Sequence, residues 1–243
     1  MNHESTKGGK HERIVGFFRD FKILCFVFWV FSMPARILKT DTQESLQRAI
    51  HEASKVILSG GVVAVPTESF YGLAVHALNE KAIERLFAVK GRREDNPLLI
   101  LINSTETLDS YALRVSNRAR KLIARFWPGG LTMVFPAAPI LPPSLTAGTA
   151  KIGVRLSSHP VPRALAEAVG APITGTSANR SGQPSCSTAE EVMEAVGEDI
   201  DLILDGGRTP GEKGSTVLDV TADPPVVLRE GIVSREELKP FLT

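Results

Sequence analysis

The stretch that decides the fold is Lys90–Ile102, KGRREDNPLLILI, in which a cationic cluster leads directly into an apolar run. A run such as PLLILI is typical of a strand covered on both faces, because a strand with one face in water alternates apolar and polar residues. Around this strand, segments with helical periodicity, such as NEKAIERLFAVK and SNRARKLIARFW, alternate with short apolar strands. The stretch therefore predicts a central strand in a sheet covered by helices.

Capping residues and a late pair of strands complete the prediction. We expect Thr42 and Asn79 to cap the first two helices, with Ser45 at the third position of the first, and Gly170 to close the helix PVPRALAEAVG. The segments STVLDVT and PVVLRE follow one another without a helix, which predicts a closing hairpin. The predicted fold class is α+β (mixed α/β), a single domain with helices packed on a mixed sheet.

Composition limits the function classes. The chain has 243 residues, 43% hydrophobic and 23% charged, which is typical of a globular protein. Residues 41–243 carry 21 basic and 24 acidic residues, so broad, charge-driven nucleic-acid binding is not indicated. The two cysteines, Cys25 and Cys186, form no CxxC pair, so neither a disulfide scaffold nor a structural zinc site is expected. This cysteine usage fits a reducing compartment. No metal site is predicted.

The N-terminal residues differ from the rest. We expect residues 1–39 to be an extension, disordered or artefactual, and residues 40–243 to form the folded domain. The hydrophobic run Lys22–Met33 is shorter than the roughly 20 residues of a membrane span. A membrane-tethering helix and a cleaved targeting segment remain alternatives, and Met33 would be a natural start for a cytoplasmic domain.

Four polar clusters stand at the ends of predicted strands, where α/β folds place their sites. The first is PTESFYGLAVHA, Pro66–Ala77, and the second is the cationic cluster with Lys90 and Arg92. In an extended segment these two cations share one side, which suits phosphate oxygens or bicarbonate, although a solvated charge run is the alternative. We expect them to face a cavity, and we expect alanine at either position to abolish activity with little loss of folding.

The third cluster is GTSANRSGQPS, Gly175–Ser185, whose hydroxyls and amides could hold phosphate or simply form a polar connection. The fourth is DGGRTPGEKGSTVLDVT followed by VLREG, in which Arg229 points either at an anion or at a structural salt bridge. Neither a Walker A loop nor a GxGxxG turn occurs. His51, His76 and His159 have no spacing typical of a metal site or a triad, and we interpret them as surface or packing residues.

The motifs PTESFYGLA, KGRREDNPL, WPGGLT, GVRLSSHP, TSANRSGQPS, DGG…GSTVLD and VLREG occur in that order. Over about residues 40–240 the chain resembles the YrdC/Sua5 family, the threonylcarbamoyl-AMP synthases. The resemblance implies a twisted mixed sheet with flanking helices around a deep basic cavity. The implied nucleotidyltransferase reaction converts ATP, L-threonine and bicarbonate into L-threonylcarbamoyl-adenylate, pyrophosphate and water, for the t6A modification of tRNA.

The resemblance also implies cofactors and partners. ATP would bind as a substrate with Mg²⁺, without a prosthetic group. A downstream threonylcarbamoyl-transferase complex would use the product in the cytoplasm, with at most weak tRNA or RNA contact and no stable membrane association. The resemblance is to the domain without the extra C-terminal part of the long Sua5 form, and we expect the short, single-domain form.

Site residues follow from the family's motifs, position by position. The K-x-R and S-x-N signature implies catalytic roles for Lys90, Arg92, Ser177 and Asn179. Leu101 departs from the family, since many members have a histidine there, and it removes a polar contact to threonine. The implied ATP-binding residues are Arg92, Asn96, Lys151, Ser177, Ser185 and Arg229. The implied threonine-binding residues are Ser69, Arg155, Gly175 and Ser215, with Arg155 paired to the threonine carboxylate.

Two other functions compete with the synthase. An RNA-binding or ribosome-assembly module could use the same cavity as an RNA surface, although the charge of residues 41–243 argues against it. A carbamoyl-transferring maturation protein uses the same kind of domain, but within much longer chains that carry zinc-finger and acylphosphatase parts.

Overall fold

A computed structural model describes residues 34–91 and 97–242 of the chain. These residues form a ten-stranded sheet in the order β1-β8-β2-β3-β7-β4-β6-β5-β9-β10. The strands are β1 Arg36–Lys39, β2 Val63–Val65, β3 Gly72–Ala74, β4 Leu99–Leu101, β5 Leu131–Pro136, β6 Lys151–Arg155, β7 Ile173–Ser177, β8 Leu202–Asp205, β9 Thr216–Asp219 and β10 Val226–Arg229. The helices are α1 Gln43–Leu58, α2 Glu80–Lys90, α3 Asn117–Phe126, α4 Pro143–Thr146, α5 Pro160–Val169, α6 Ala189–Val196 and α7 Arg235–Leu238.

The sheet is mixed, as the sequence predicts. Strand β8 pairs in parallel with β1 and β2, and β4 with β6 and β5 with β9 are also parallel. The remaining pairs are antiparallel, including β9 with β10, which confirms the closing hairpin. None of the helices in the described residues is long and apolar enough to cross a membrane.

The central strand β4 was predicted to be covered by the core on both faces, but one of its faces lines a cavity. It lies between β6 and β7, as expected for a central strand. Ile100 packs in the main core with Ile152 and Val154, all fully buried. Leu99 and Leu101 point to the opposite face, where they line a cavity. The unbroken apolar run therefore covers a core on one side and forms the floor of a cavity on the other.

Local signals place the helix ends. The Thr42 hydroxyl accepts a hydrogen bond from the Ser45 amide, and Asn79 Oδ1 accepts one from the Ala82 amide. Helix α2 continues through Lys90 and ends at Gly91, which adopts the left-handed conformation that favours glycine. The prediction that Lys90 lies in an extended segment is therefore wrong, because the helix continues to this glycine.

The sheet begins before the predicted domain boundary at residue 40. Strand β1 pairs in parallel with β8, and the Ala35 amide donates to the Gly197 carbonyl at 2.8 Å. The boundary is therefore wrong by the length of this strand, since RILK is too short for its alternation to stand out in the sequence. The interpretations of Lys22–Met33 lie outside the described residues.

Candidate active site

One cavity of about 680 Å³ lies against the sheet. It is lined by one face of the five neighbouring strands β7, β4, β6, β5 and β9, together with the loop before β3. Since side chains alternate across a strand, every second residue of each strand points into the cavity. These residues are Gly175 and Ser177 in β7, Leu99 and Leu101 in β4, Lys151, Gly153 and Arg155 in β6, Thr132 and Val134 in β5, and Val217 and Asp219 in β9, with Ser215 just before it.

Two glycines keep the floor of the cavity low. Gly153 and Gly175 pair with Leu99 from the two neighbouring strands. A Cβ atom at Gly175 would lie 2.7 Å from Leu99 Cδ1 and 2.9 Å from Leu101 Cγ, which is closer than side chains tolerate. Glycine is therefore required for the leucines to cover the floor at this depth.

Lys90 is buried behind the cavity wall. Its ammonium group donates to the Ser177 carbonyl at 2.6 Å, and to the Asn179 carbonyl and Oδ1 at 2.8 Å each. The residue is 3% exposed and does not line the cavity, whereas Ser177 does. The expectation that Lys90 faces the cavity is therefore wrong, since its side chain points across from the end of α2 to the loop that follows β7. Arg92 and Asn96 lie outside the described residues.

Asn179 completes this connection. Its Oδ1 accepts from the Ser177 hydroxyl at 2.6 Å, and its amide group donates to the Gln183 carbonyl. Lys90 thus fixes both ends of the Ser177–Asn179 turn by charge-assisted hydrogen bonds. The expectation that Lys90→Ala leaves folding nearly unchanged does not fit this geometry, because buried acceptors would lose their donor.

Arg155 forms a buried ion pair. Its Nε donates to Glu68 Oε1 at 3.1 Å, and its Nη2 lies 3.0 Å from Glu68 Oε2. The Ser157 hydroxyl donates to the same Oε2. Burial raises the pKa of Glu68, but the Arg155 charge and these hydrogen bonds outweigh it, so the pKa lies below its usual value. Glu68 is therefore a carboxylate at neutral pH.

Arg229 enters from β10 without such a partner. Its Nη2 donates to the Ser215 carbonyl at 2.8 Å and to the Ser215 hydroxyl at 3.2 Å. The Thr132 hydroxyl donates to the same Ser215 oxygen at 2.9 Å. Burial, together with the charge of Arg155, lowers the pKa of Arg229. Within residues 34–91 and 97–242, no carboxylate neutralises this guanidinium.

Lys151, by contrast, is paired. Its ammonium group donates to Asp219 Oδ2 at 2.8 Å, and Asp219 Oδ1 accepts from the Thr221 amide and hydroxyl at 2.8 and 2.6 Å. Burial raises the pKa of Asp219, but the bonds from Lys151 and Thr221 lower it below its usual value. Two of the three described cations of the cavity are thus balanced by carboxylates, so the cavity is less uniformly basic than the resemblance implies.

The histidines are explained by local structure. Nδ1 of His76 accepts from the Leu78 amide, and Nδ1 of His159 caps α5 by accepting from the Val161 amide. Burial lowers the pKa of both. Among the described residues, no group of three or more His, Cys, Asp or Glu could hold a metal ion.

The structure brings most of the predicted site residues together. Lys90 and Asn179 lie just behind the wall. Glu68 and Asp219 belong to the arrangement but were not predicted, although Glu68 stands in the PTES motif and Asp219 alternates with Ser215 and Val217. The predicted residues that line the cavity are Ser69, Lys151, Arg155, Gly175, Ser177, Ser185, Ser215 and Arg229.

Comparison with known proteins identifies relatives across the described chain. A model of the Sua5/YciO/YrdC family, described as telomere recombination, matches residues 55–231. A threonylcarbamoyl-AMP synthase of Pyrococcus abyssi is 43% identical over 78% of this chain and 56% of the relative. One of Photobacterium profundum is 34% identical over 75% of this chain and 98% of the relative.

A solved structure also resembles this chain. The crystal structure of Pyrococcus abyssi Sua5 in complex with L-threonine matches with a TM-score of 0.81 and 39% identity, over 86% of this chain and 61% of that chain. The chain spans little more than half the length of the first relatives that it matches.

Proposed function

This chain belongs to the Sua5/YciO/YrdC family, and we propose that it makes L-threonylcarbamoyl-adenylate from ATP, L-threonine and bicarbonate. The observation that carries the proposal is the convergence of eight predicted substrate residues on one cavity. The two curated relatives described above are threonylcarbamoyl-AMP synthases, and one solved relative binds L-threonine. The activity is that of a nucleotidyltransferase.

The cavity suits three anionic reactants held side by side. In the proposed reaction the threonine amine attacks the carbon of bicarbonate, and a carbamate forms with loss of water. A carbamate oxygen then attacks the α-phosphorus of ATP, and pyrophosphate leaves. Neither step needs a nucleophile from the protein, so positioning and charge stabilisation supply the catalysis.

The described cations of the cavity would bind different reactants. Arg229, which no described carboxylate neutralises, is suited to the ATP phosphates, with the hydroxyls of Ser177 and Ser185 on the opposite wall. Arg155 offers a guanidinium edge to the threonine carboxylate, next to Ser69 and Ser215. Lys90 and Asn179 act by holding the Ser177 turn in place. The roles of Arg92 and Asn96 stay predictions.

Mg²⁺ would enter as a complex with the ATP phosphates, the usual mode for this ion. Two described carboxylates, Asp219 and Glu230, line the cavity. Both oxygens of Asp219 are already engaged by Lys151 and Thr221, and Glu230 Oε1 accepts from the Arg235 amide. The protein residues described here therefore fit a metal that is held mainly through the nucleotide. A cytoplasmic location, a downstream threonylcarbamoyl-transferase complex and weak tRNA contact also stay predictions.

The test is turnover that depends on threonine. The chain is incubated with MgATP, L-threonine and bicarbonate, pyrophosphate release is followed, and the adenylate is identified by mass spectrometry. Leaving out threonine or bicarbonate should stop release. A folded sample without threonine-dependent release would contradict the proposal. RNA binding that ATP and threonine fail to displace would instead support the RNA-binding alternative, which no observation described above favours.

A further inference from the structure

Glu68 is a buried carboxylate that the proposed reaction does not use. It follows β2 in the PTES motif, and its side chain is 16% exposed. One oxygen accepts from Arg155 Nε, and the other accepts from the Ser157 hydroxyl and lies 3.0 Å from Arg155 Nη2. Two hydrogen bonds and one ion-pair contact therefore fix this carboxylate against one edge of the guanidinium group.

The opposite edge of Arg155 is left for a ligand. Arg155 lines the cavity, and its side chain is 6% exposed. Its Nη2 has no aligned hydrogen-bond acceptor among the described residues, although Glu68 is close enough for an ion pair. Since Nε and Nη2 both lie against Glu68 and Nη2 is buried, Nη1 is the guanidinium nitrogen left to bind the acid group of a ligand.

Glu68 also cancels the charge of Arg155. An anion in the cavity meets the weak field of a pair at Arg155, whereas at Arg229 it meets a cation that no carboxylate of the described residues neutralises. Coulomb energy is proportional to the charge of the ligand. Removing the charge of Glu68 would therefore favour a phosphate with nearly two negative charges about twice as much as a carboxylate with one.

We propose that Glu68 makes the Arg155 site selective for a carboxylate and keeps phosphate groups out of it. This inference rests on the proposed function, in which Arg155 receives the amino-acid carboxylate and ATP shares the same cavity. Glu68 acts through Arg155, in two ways that reinforce each other. It orients the guanidinium group so that Nη1 is left for the acid group of the ligand, and it opposes ligands with a higher negative charge.

The test compares two ligands that differ only in their acid group. These are L-threonine and its α-aminophosphonic acid analogue, and calorimetry measures both dissociation constants at neutral pH. The wild-type chain should bind threonine more tightly. In Glu68→Gln, which keeps size and loses charge, the preference for threonine over the phosphonate should fall at least about tenfold. A purely structural role would weaken both ligands together and leave this ratio unchanged.

Glu52→Gln is the matched control, because Glu52 lies on the surface of α1 and pairs with Arg36 and Lys55. It should keep the wild-type ratio. A folded Glu68→Gln variant with an unchanged ratio overturns the inference. A wild-type chain that binds the phosphonate as tightly as threonine also overturns the inference, and this measurement requires no variant. Wild-type turnover together with an unchanged ratio leaves the proposed function standing, whereas loss of threonine binding and turnover in the wild type overturns both.

Discussion

Replacing Lys90 by methionine tests whether this residue acts as a buried connection. The substitution keeps the length of the side chain and removes the ammonium group. Three acceptors lie within 2.8 Å of that group, namely the carbonyls of Ser177 and Asn179 and the Asn179 Oδ1 atom. A buried acceptor left without a donor costs about 1–3 kcal/mol. The Ser177 carbonyl keeps the Asn179 amide and Asn179 Oδ1 keeps the Ser177 hydroxyl, so among the described residues the Asn179 carbonyl is the acceptor that loses its donor. We therefore expect a loss of about 1–3 kcal/mol in total.

Urea unfolding and calorimetry measure this loss. For a domain of this size, about 1–3 kcal/mol corresponds to a decrease in Tm of about 2–12 °C. Turnover should also fall in the fraction that stays folded, since Ser177 would lose its anchor. Lys81→Met is the control, because Lys81 lies exposed on the same helix; its free energy of unfolding should change by less than about 0.5 kcal/mol. A loss below about 1 kcal/mol for Lys90→Met would refute the connection and support a cation that only contacts substrate.

Three further predictions concern the cavity. Gly175→Ala should raise the threonine KM and cost about 1–3 kcal/mol of stability, because its Cβ would meet Leu99 at 2.7 Å; unchanged steady-state kinetics would contradict the account of the floor. The folded pKa of Asp219 is depressed, so the stability that it contributes is present above about pH 4 and is lost as pH falls through the folded pKa. Asp219→Asn should therefore reduce the decrease in the urea unfolding midpoint at acidic pH. An unchanged decrease would argue against the ion pair between Asp219 and Lys151. Arg229→Ala should raise the KM for ATP by about 10- to 100-fold, the loss expected for a charged hydrogen bond, and change the threonine KM much less; equal effects on both would argue against a phosphate role.

Much of the fold could be predicted because its signals are local. Caps such as Thr42 and Asn79 depend on a few neighbouring residues, and both are present. The closing hairpin followed from two successive strands. Strand β1 was missed because four residues carry too little alternation to be recognised, and only its pairing with β8 identifies it. Lys90 was counted both at the end of the helical segment NEKAIERLFAVK and in an extended cluster with Arg92, and the structure confirms the helix, which ends at Gly91.

The chemistry of the site depends instead on distant pairs. Eight of the residues predicted from the motifs line one cavity. The net charge at each cation among them, however, depends on a partner far away in the sequence. Arg155 and Glu68 are 87 residues apart, and Lys151 and Asp219 are 68 apart. The family resemblance implies a basic cavity, whereas the folded chain neutralises two of the three described cations that line it. Arg229 is left uncompensated among the described residues, and under the proposed function this separation of charge would let one cavity distinguish a triphosphate from a carboxylate.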